Sequence, residues 1–144
     1  VARAAVLTLL RNDAPLVALG GSGFVVVPNF EADQRPNDAG AFIVIAWGVT
    51  DFEEAIQDNG PWHFDLYIHW PVALSTDFVR IDDMNDRIDE IFKAVEDGPP
   101  VVGGDGRALY YVGFEGRGPD FKDSGYQTIC RKASYMALSN KVTA

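Results

Sequence analysis

The stretch Trp62-His63-Phe64-Asp65-Leu66-Tyr67-Ile68-His69-Trp70 repeats with a period of two. That period marks a β-strand with two unlike faces, and it puts Trp62, Phe64, Leu66, Ile68 and Trp70 on one of them. Side chains of this size on one face need a dry layer against them. His63, Asp65, Tyr67 and His69 take the other face, so both histidines of the chain share one side of one strand. Pro71 ends the strand. Ser75-Thr76-Asp77 then opens a segment whose apolar residues Ile81, Met84, Ile88, Ile91, Phe92 and Val95 recur at the spacing of one helix face, which predicts a helix from Thr76 to Glu96. A sheet with an amphipathic helix laid on it is the expected core.

Upstream, Ala2 to Arg11 reads as a helix with Val6, Leu7 and Leu10 on its buried side, and Asn12-Asp13-Ala14-Pro15 stops it. Leu16, Val17 and Leu19 are expected to add one turn before the break at Gly20-Gly21-Ser22-Gly23. A short strand is predicted at Phe24 to Val27, a polar loop at Glu31 to Gly40, and a strand at Ala41 to Trp47. The nearly continuous apolar run Phe42-Ile43-Val44-Ile45 belongs in the middle of a sheet. Asp51 to Gly60 is acidic and ends in the turn signal Asn59-Gly60.

Downstream, Asp97-Gly98-Pro99-Pro100 is a helix stop, with Gly98 supplying the cap geometry. Ala108 to Glu115 is predicted as a strand with Leu109, Tyr111 and Gly113 facing opposite to Tyr110, Val112 and Phe114. Gly116 to Gly125 reads as a polar loop carrying an exposed Phe121. Tyr126 to Leu138 reads as a long strand whose mixed faces suit an edge or interface position. The fold class expected is α+β: a mainly antiparallel sheet of about four to five strands, with an N-terminal helix and one long helix packed on it.

A chain of 144 residues suits one domain, 1–144, able to bury roughly 68–70% of its unfolded surface. At 47% hydrophobic and 23% charged it has the composition of a folded globular protein. The opening residues lack a basic leader and a small-residue cleavage site, and no apolar run approaches the ~18 residues of a membrane span. Twelve basic against 21 acidic residues leave a net charge of −9, which disfavours binding to a phosphate backbone. Cys130 is alone, so neither an internal disulfide nor a cysteine-based zinc site can form within one chain.

No motif carries convincing chemistry. His63, Asp65 and His69 are of metal-ligand type, but the histidines are separated by about 20 Å of extended strand, too far to share an ion. The glycines at 20–23 precede a strand rather than link a strand to a helix, so they do not form a phosphate-binding loop. The carboxylates Asp82, Asp83, Asp86, Asp89 and Glu90 fall on the polar side of the long helix, where solvent keeps them from acting as general acids. Cys130 has no histidine near it in sequence. No cofactor, metal or catalytic residue is expected, and the chain reads as a non-enzyme.

Taken in order, the Leu7-to-Leu10 helix with its Asn12-Asp13-Ala14-Pro15 extension, the Ala41–Ile45 strand, the Trp62–Trp70 strand, the single long helix and the closing strand resemble the tail terminator proteins of long-tailed bacteriophages and the related head-to-tail neck proteins. The resemblance covers nearly the whole chain. It implies a ring, expected to be a homohexamer, that caps the tail tube, stops its polymerisation and presents its other face to the neck. The implied partners are copies of this chain, the tail tube protein and a neck or head-completion protein, with DNA passing through the lumen unbound. The implied location is the virion, at the neck end of the tail, after assembly in the host cytoplasm. Subunit or ring contacts are expected from the loops, at Arg35, Asp51, Glu53, Glu54, Asp58, Arg117, Phe121 and Lys122. The alternatives are a head-completion or tail-tube subunit and, from a different class, a small metal-dependent enzyme built on His63 and Asp65.

Overall fold

The computed structural model describes residues 2–28, 40–48 and 61–142. In chain order these form α1 (Arg3–Arg11), α2 (Ala14–Gly20), β1 (Val25–Val27), β2 (Phe42–Trp47), β3 (Trp62–Pro71), α3 (Val79–Asp97), β4 (Val101–Val102), β5 (Arg107–Arg117), β6 (Phe121–Asp123) and β7 (Thr128–Lys141). The strands make one sheet in the order β1-β2-β3-β7-β5-β4, with β6 also paired to β7. The class is α+β as expected. The sheet is mainly antiparallel, as expected, but it is mixed, since β1 pairs β2 in parallel, and it has seven strands rather than four or five. β4 and β6 escape a reading by periodicity because two or three residues cannot display a period.

Phe64, Leu66 and Ile68 of β3 are buried in one core with Ile81, Met84, Ile88, Phe92 and Val95 of α3, and Ala5, Val6 and Leu10 of α1 join them. Each fully buried side chain of this kind contributes about 1.5–3 kcal/mol, so the two amphipathic elements hold each other in place. The helix starts at Val79, three residues later than expected. Ser75 Oγ accepts from the Asp77 amide and Asp77 Oδ1 accepts from the Val79 amide, so these side chains build turns instead of capping the helix. At the far end Gly98 is extended (φ −116°, ψ −175°) rather than left-handed. Pro99 explains this, since a residue before proline is pushed out of the helical region.

The residues after Asp13 form a separate seven-residue helix, not one added turn of α1. Asp13 caps it by accepting from the Leu16 amide, and Pro15 fits its first turn. At its end a side chain on Gly20 would stand 2.3 Å from the Phe24 ring, so glycine is required there.

β5 departs from simple alternation. Register shifts between Leu109 and Tyr111 and between Phe114 and Gly116 mark bulges. The first brings Leu109 and Val112 into the same core, where strict alternation assigned them to opposite faces. The expected loop from Gly116 to Gly125 contains the end of β5 and all of β6.

β7 overturns its assignment as an edge strand. It begins at Thr128 rather than Tyr126 and is paired along one side to β3, and along the other first to β6 and then to β5. Its mixed pattern records one face under α3, with Ile129, Ala133, Tyr135 and Ala137 buried, and another that no helix among the described residues covers, carrying the half-buried Lys132, Ser134 and Met136.

Candidate assembly surfaces

The uncovered face of the sheet is not uniformly wet. Near β1 and β2 it holds a small second core of Val27, Phe42 and Val44, with Tyr67 and Tyr126 packed on it. His69 belongs to this layer. Its ring stacks on Phe42 at 4.5 Å and meets Tyr126 edge-on, and only 2% of the residue is exposed. His69 is therefore a core histidine rather than one that faces solvent. Phe42 and Tyr126 come from distant segments, so nothing in the local sequence around His69 signals it.

Cys130 lies opposite His69 across the β3–β7 ladder, with Sγ 3.6 Å from Nε2, while His69 Nδ1 is 2.8 Å from Thr128 Oγ1. The trio looks like a nucleophile with a base and an orienter, and the pairing brings together residues far apart in sequence. Burial, and secondarily the negative charge of Asp123, pushes the Cys130 thiol up to about 12, which disfavours the thiolate that a nucleophile needs.

His63 lies on the same strand face but pairs elsewhere, with Nδ1 2.6 Å from Glu115 Oε1, and Asp65 Oδ1 accepts from Ser134 Oγ at 2.7 Å. No group of three metal-ligating side chains occurs among the described residues.

A second constellation lies between α3 and β5. Tyr135 O–H donates to Asp89 Oδ1 at 2.7 Å, Arg117 Nη2 donates to Asp89 Oδ2 at 2.5 Å, and the Arg117 guanidinium sits over the Phe114 ring at 4.8 Å. Burial first, and then its bond to the Asp89 carboxylate, holds the Tyr135 phenol protonated well above the usual phenol range. Asp89 is thus a structural anchor, whereas Asp82, Asp83, Asp86 and Glu90 are exposed as the amphipathic pattern predicts. The available signal was its place beside Ile88, at the border of the apolar stripe. Next to this network a cleft of about 350 Å³ is lined by Phe92, Val112, Phe114 and Tyr135, with Lys93 and Glu96 at its side.

Of the expected contact residues, Arg35, Asp51, Glu53, Glu54 and Asp58 lie outside the described residues. Arg117 is committed within the chain to Asp89 and Phe114. Phe121 is 39% exposed on β6, and Lys122 beside it is exposed at a cleft shared with Val72, Ser124 and Gln127. Phe121 and Lys122 thus lie on one accessible short strand, separate from the Arg117 network.

No family model matches the chain, and no curated protein matches it. The fold does match a solved structure. A chain of the virion of the native gene transfer agent (GTA) particle superposes with a TM-score of 0.61 at 17% identity, over 95% of this chain and 92% of that one. At that identity the likeness is one of fold, and it extends over the whole domain.

Proposed function

We propose that this chain is a structural subunit of a phage-like virion and, more narrowly, a tail terminator that caps the tail tube as a ring. The observation that carries the reading is the whole-domain likeness of fold to a chain of the gene transfer agent virion. The narrower role rests on the order of elements in the sequence, which resembles tail terminators. In this reading copies of the chain associate in a closed ring, because several weak contacts made together hold a tube end that one contact cannot.

The ring meets the tail tube on one face and a neck or head-completion protein on the other. Acidic residues at its lumen let DNA pass without sticking, since like charge repels phosphate. The chain performs no catalysis in this role. No helix among the described residues is long and apolar enough to cross a membrane.

The test is removal of the protein from an assembling particle, followed by electron microscopy. Overlong tubes without heads are expected of a terminator. Tails of normal length left unjoined to heads would point to a head-completion protein, and absence of tubes to a tube subunit. Substitutions at Arg35, Glu53 and Phe121 should impair assembly while leaving the monomer folded.

A further inference from the structure

The two edges of the sheet are finished differently. β1 is three residues long, and Arg11 lays Nε and Nη2 on the Val26 carbonyl at 3.0 and 2.8 Å, so that edge is both short and occupied. At the other edge β4 pairs only with Ala108 and Leu109 of β5. Among the described residues no strand lies outside β5 from Tyr110 onward. The two bulges of β5 isolate a regular stretch, Tyr111–Phe114, between them. In an antiparallel ladder alternate residues turn both N–H and C=O away from the partner, so two of these four residues offer a full hydrogen-bonding pair to the outside.

Sheet edges are ordinarily guarded by lysine, proline or a bulge within the exposed stretch. Here the bulges flank the stretch, and it contains neither lysine nor proline. Phe114 is 55% exposed on it, and the 350 Å³ cleft floored by Phe92, Val112 and Tyr135 opens beside it.

We propose that the Tyr111–Phe114 edge receives an extended, basic segment of another protein, which adds as a further strand and places one large apolar side chain in the cleft between α3 and β5. Main-chain hydrogen bonds would supply the affinity and the cleft the selectivity. Charge selects the occupant. α3, which forms the other wall of the cleft, carries seven acidic residues against three basic ones, and the whole chain stands at −9. A second copy docked edge to edge would set two such helices side by side, whereas a basic segment gains from the same field. An edge of this kind serves whether or not the chain is built into a virion.

The probe is the peptide acetyl-Lys-Leu-Lys-Phe-Lys-Val-Lys-amide, titrated into isotope-labelled protein and followed by amide NMR and hydrogen exchange. Shifts should centre on Tyr111–Phe114, with two of those amides gaining protection. Affinity should fall at least tenfold when alternate peptide nitrogens are methylated or lysine is replaced by glutamate, and at least fivefold for a folded Phe114→Ser variant. Equal binding of the methylated peptide, or shifts confined to the exposed acids of α3, would overturn the proposal as mere charge adsorption. Slow exchange of all four amides in the free protein would overturn it because the chain itself covers the edge. Self-association that Phe114→Ser abolishes would overturn it in favour of a second copy.

Discussion

Asn85 is fully buried on α3, between the turns of Ile81 and Ile88, and neither its Oδ1 nor its Nδ2 has a hydrogen-bond partner among the described residues. Leaving a buried amide unsatisfied costs about 1–3 kcal/mol. Leucine has the same branching and the same number of side-chain heavy atoms, so Asn85→Leu removes that cost with little change of shape. Better helix propensity adds about 0.3–0.5 kcal/mol, and the larger methyl groups subtract at most about 1.5 kcal/mol. The net expectation is a gain of about 1–2 kcal/mol. For a chain of this size that corresponds to a rise in Tm of roughly 3–8 °C. Urea unfolding followed by tryptophan fluorescence measures it directly, and the slope should stay unchanged while the midpoint moves up. A loss of more than 1 kcal/mol in a variant with an unaltered fold would refute the reasoning, because it would show that the amide holds a bond that leucine destroys.

The opposite change, Ile88→Asp, should unfold the chain: the lost packing is about 2–5 kcal/mol and the unpaired buried carboxylate adds to it, and circular dichroism should show no cooperative melt. Asp13→Ala removes both the α2 cap and the two-pronged contact with Arg87, with an expected cost of about 0.5–2 kcal/mol at neutral pH. The hydrogen bond from Arg87 holds the Asp13 carboxyl below its ordinary value of 3.8, so the stability it contributes is complete above that pH and is lost as pH falls through the lowered value. The gap between wild type and variant, read from melts at several pH values, should narrow only in that acid range. Cys130 should resist a thiol reagent at pH 8 in the native protein and react fully once the chain is unfolded in denaturant; rapid native reaction would contradict its buried, protonated state.

The long periodic elements were legible because one period fixes both the type of element and the face it buries. The Trp62–Trp70 strand and the helix carrying Ile81 to Val95 are of this kind. Chain neighbours do not reveal spatial neighbours, so the same reading put β7 at an edge when it lies in the interior of the sheet. Alternation also failed across the bulge at Tyr110, where one extra residue reverses every later face assignment. His69 and Cys130 could not be matched from sequence, since only the β3–β7 register sets them opposite each other. The Tyr135–Asp89–Arg117 network joins three elements in the same way. Of the assembly contacts, Phe121 was legible as an exposed aromatic in a polar stretch, while Arg117 read as free and is held inside the chain.

The interior position of β7 bears on how the chain is made. It is the last strand of this sheet to leave the ribosome, yet β3, β5 and β6 all pair with it. Until Thr128 to Lys141 is synthesised, those three strands have no common neighbour, and the Trp62–Trp70 face is attached to only part of its sheet. Folding therefore waits on β3–β7 pairings between residues 57 to 75 positions apart, the kind of non-local closure that slows a chain and leaves strand edges exposed meanwhile. Cutting the chain just before Thr128 would not trim an edge but break the sheet apart, leaving β1–β3 on one side, β4–β5 on the other and β6 without its partner strand.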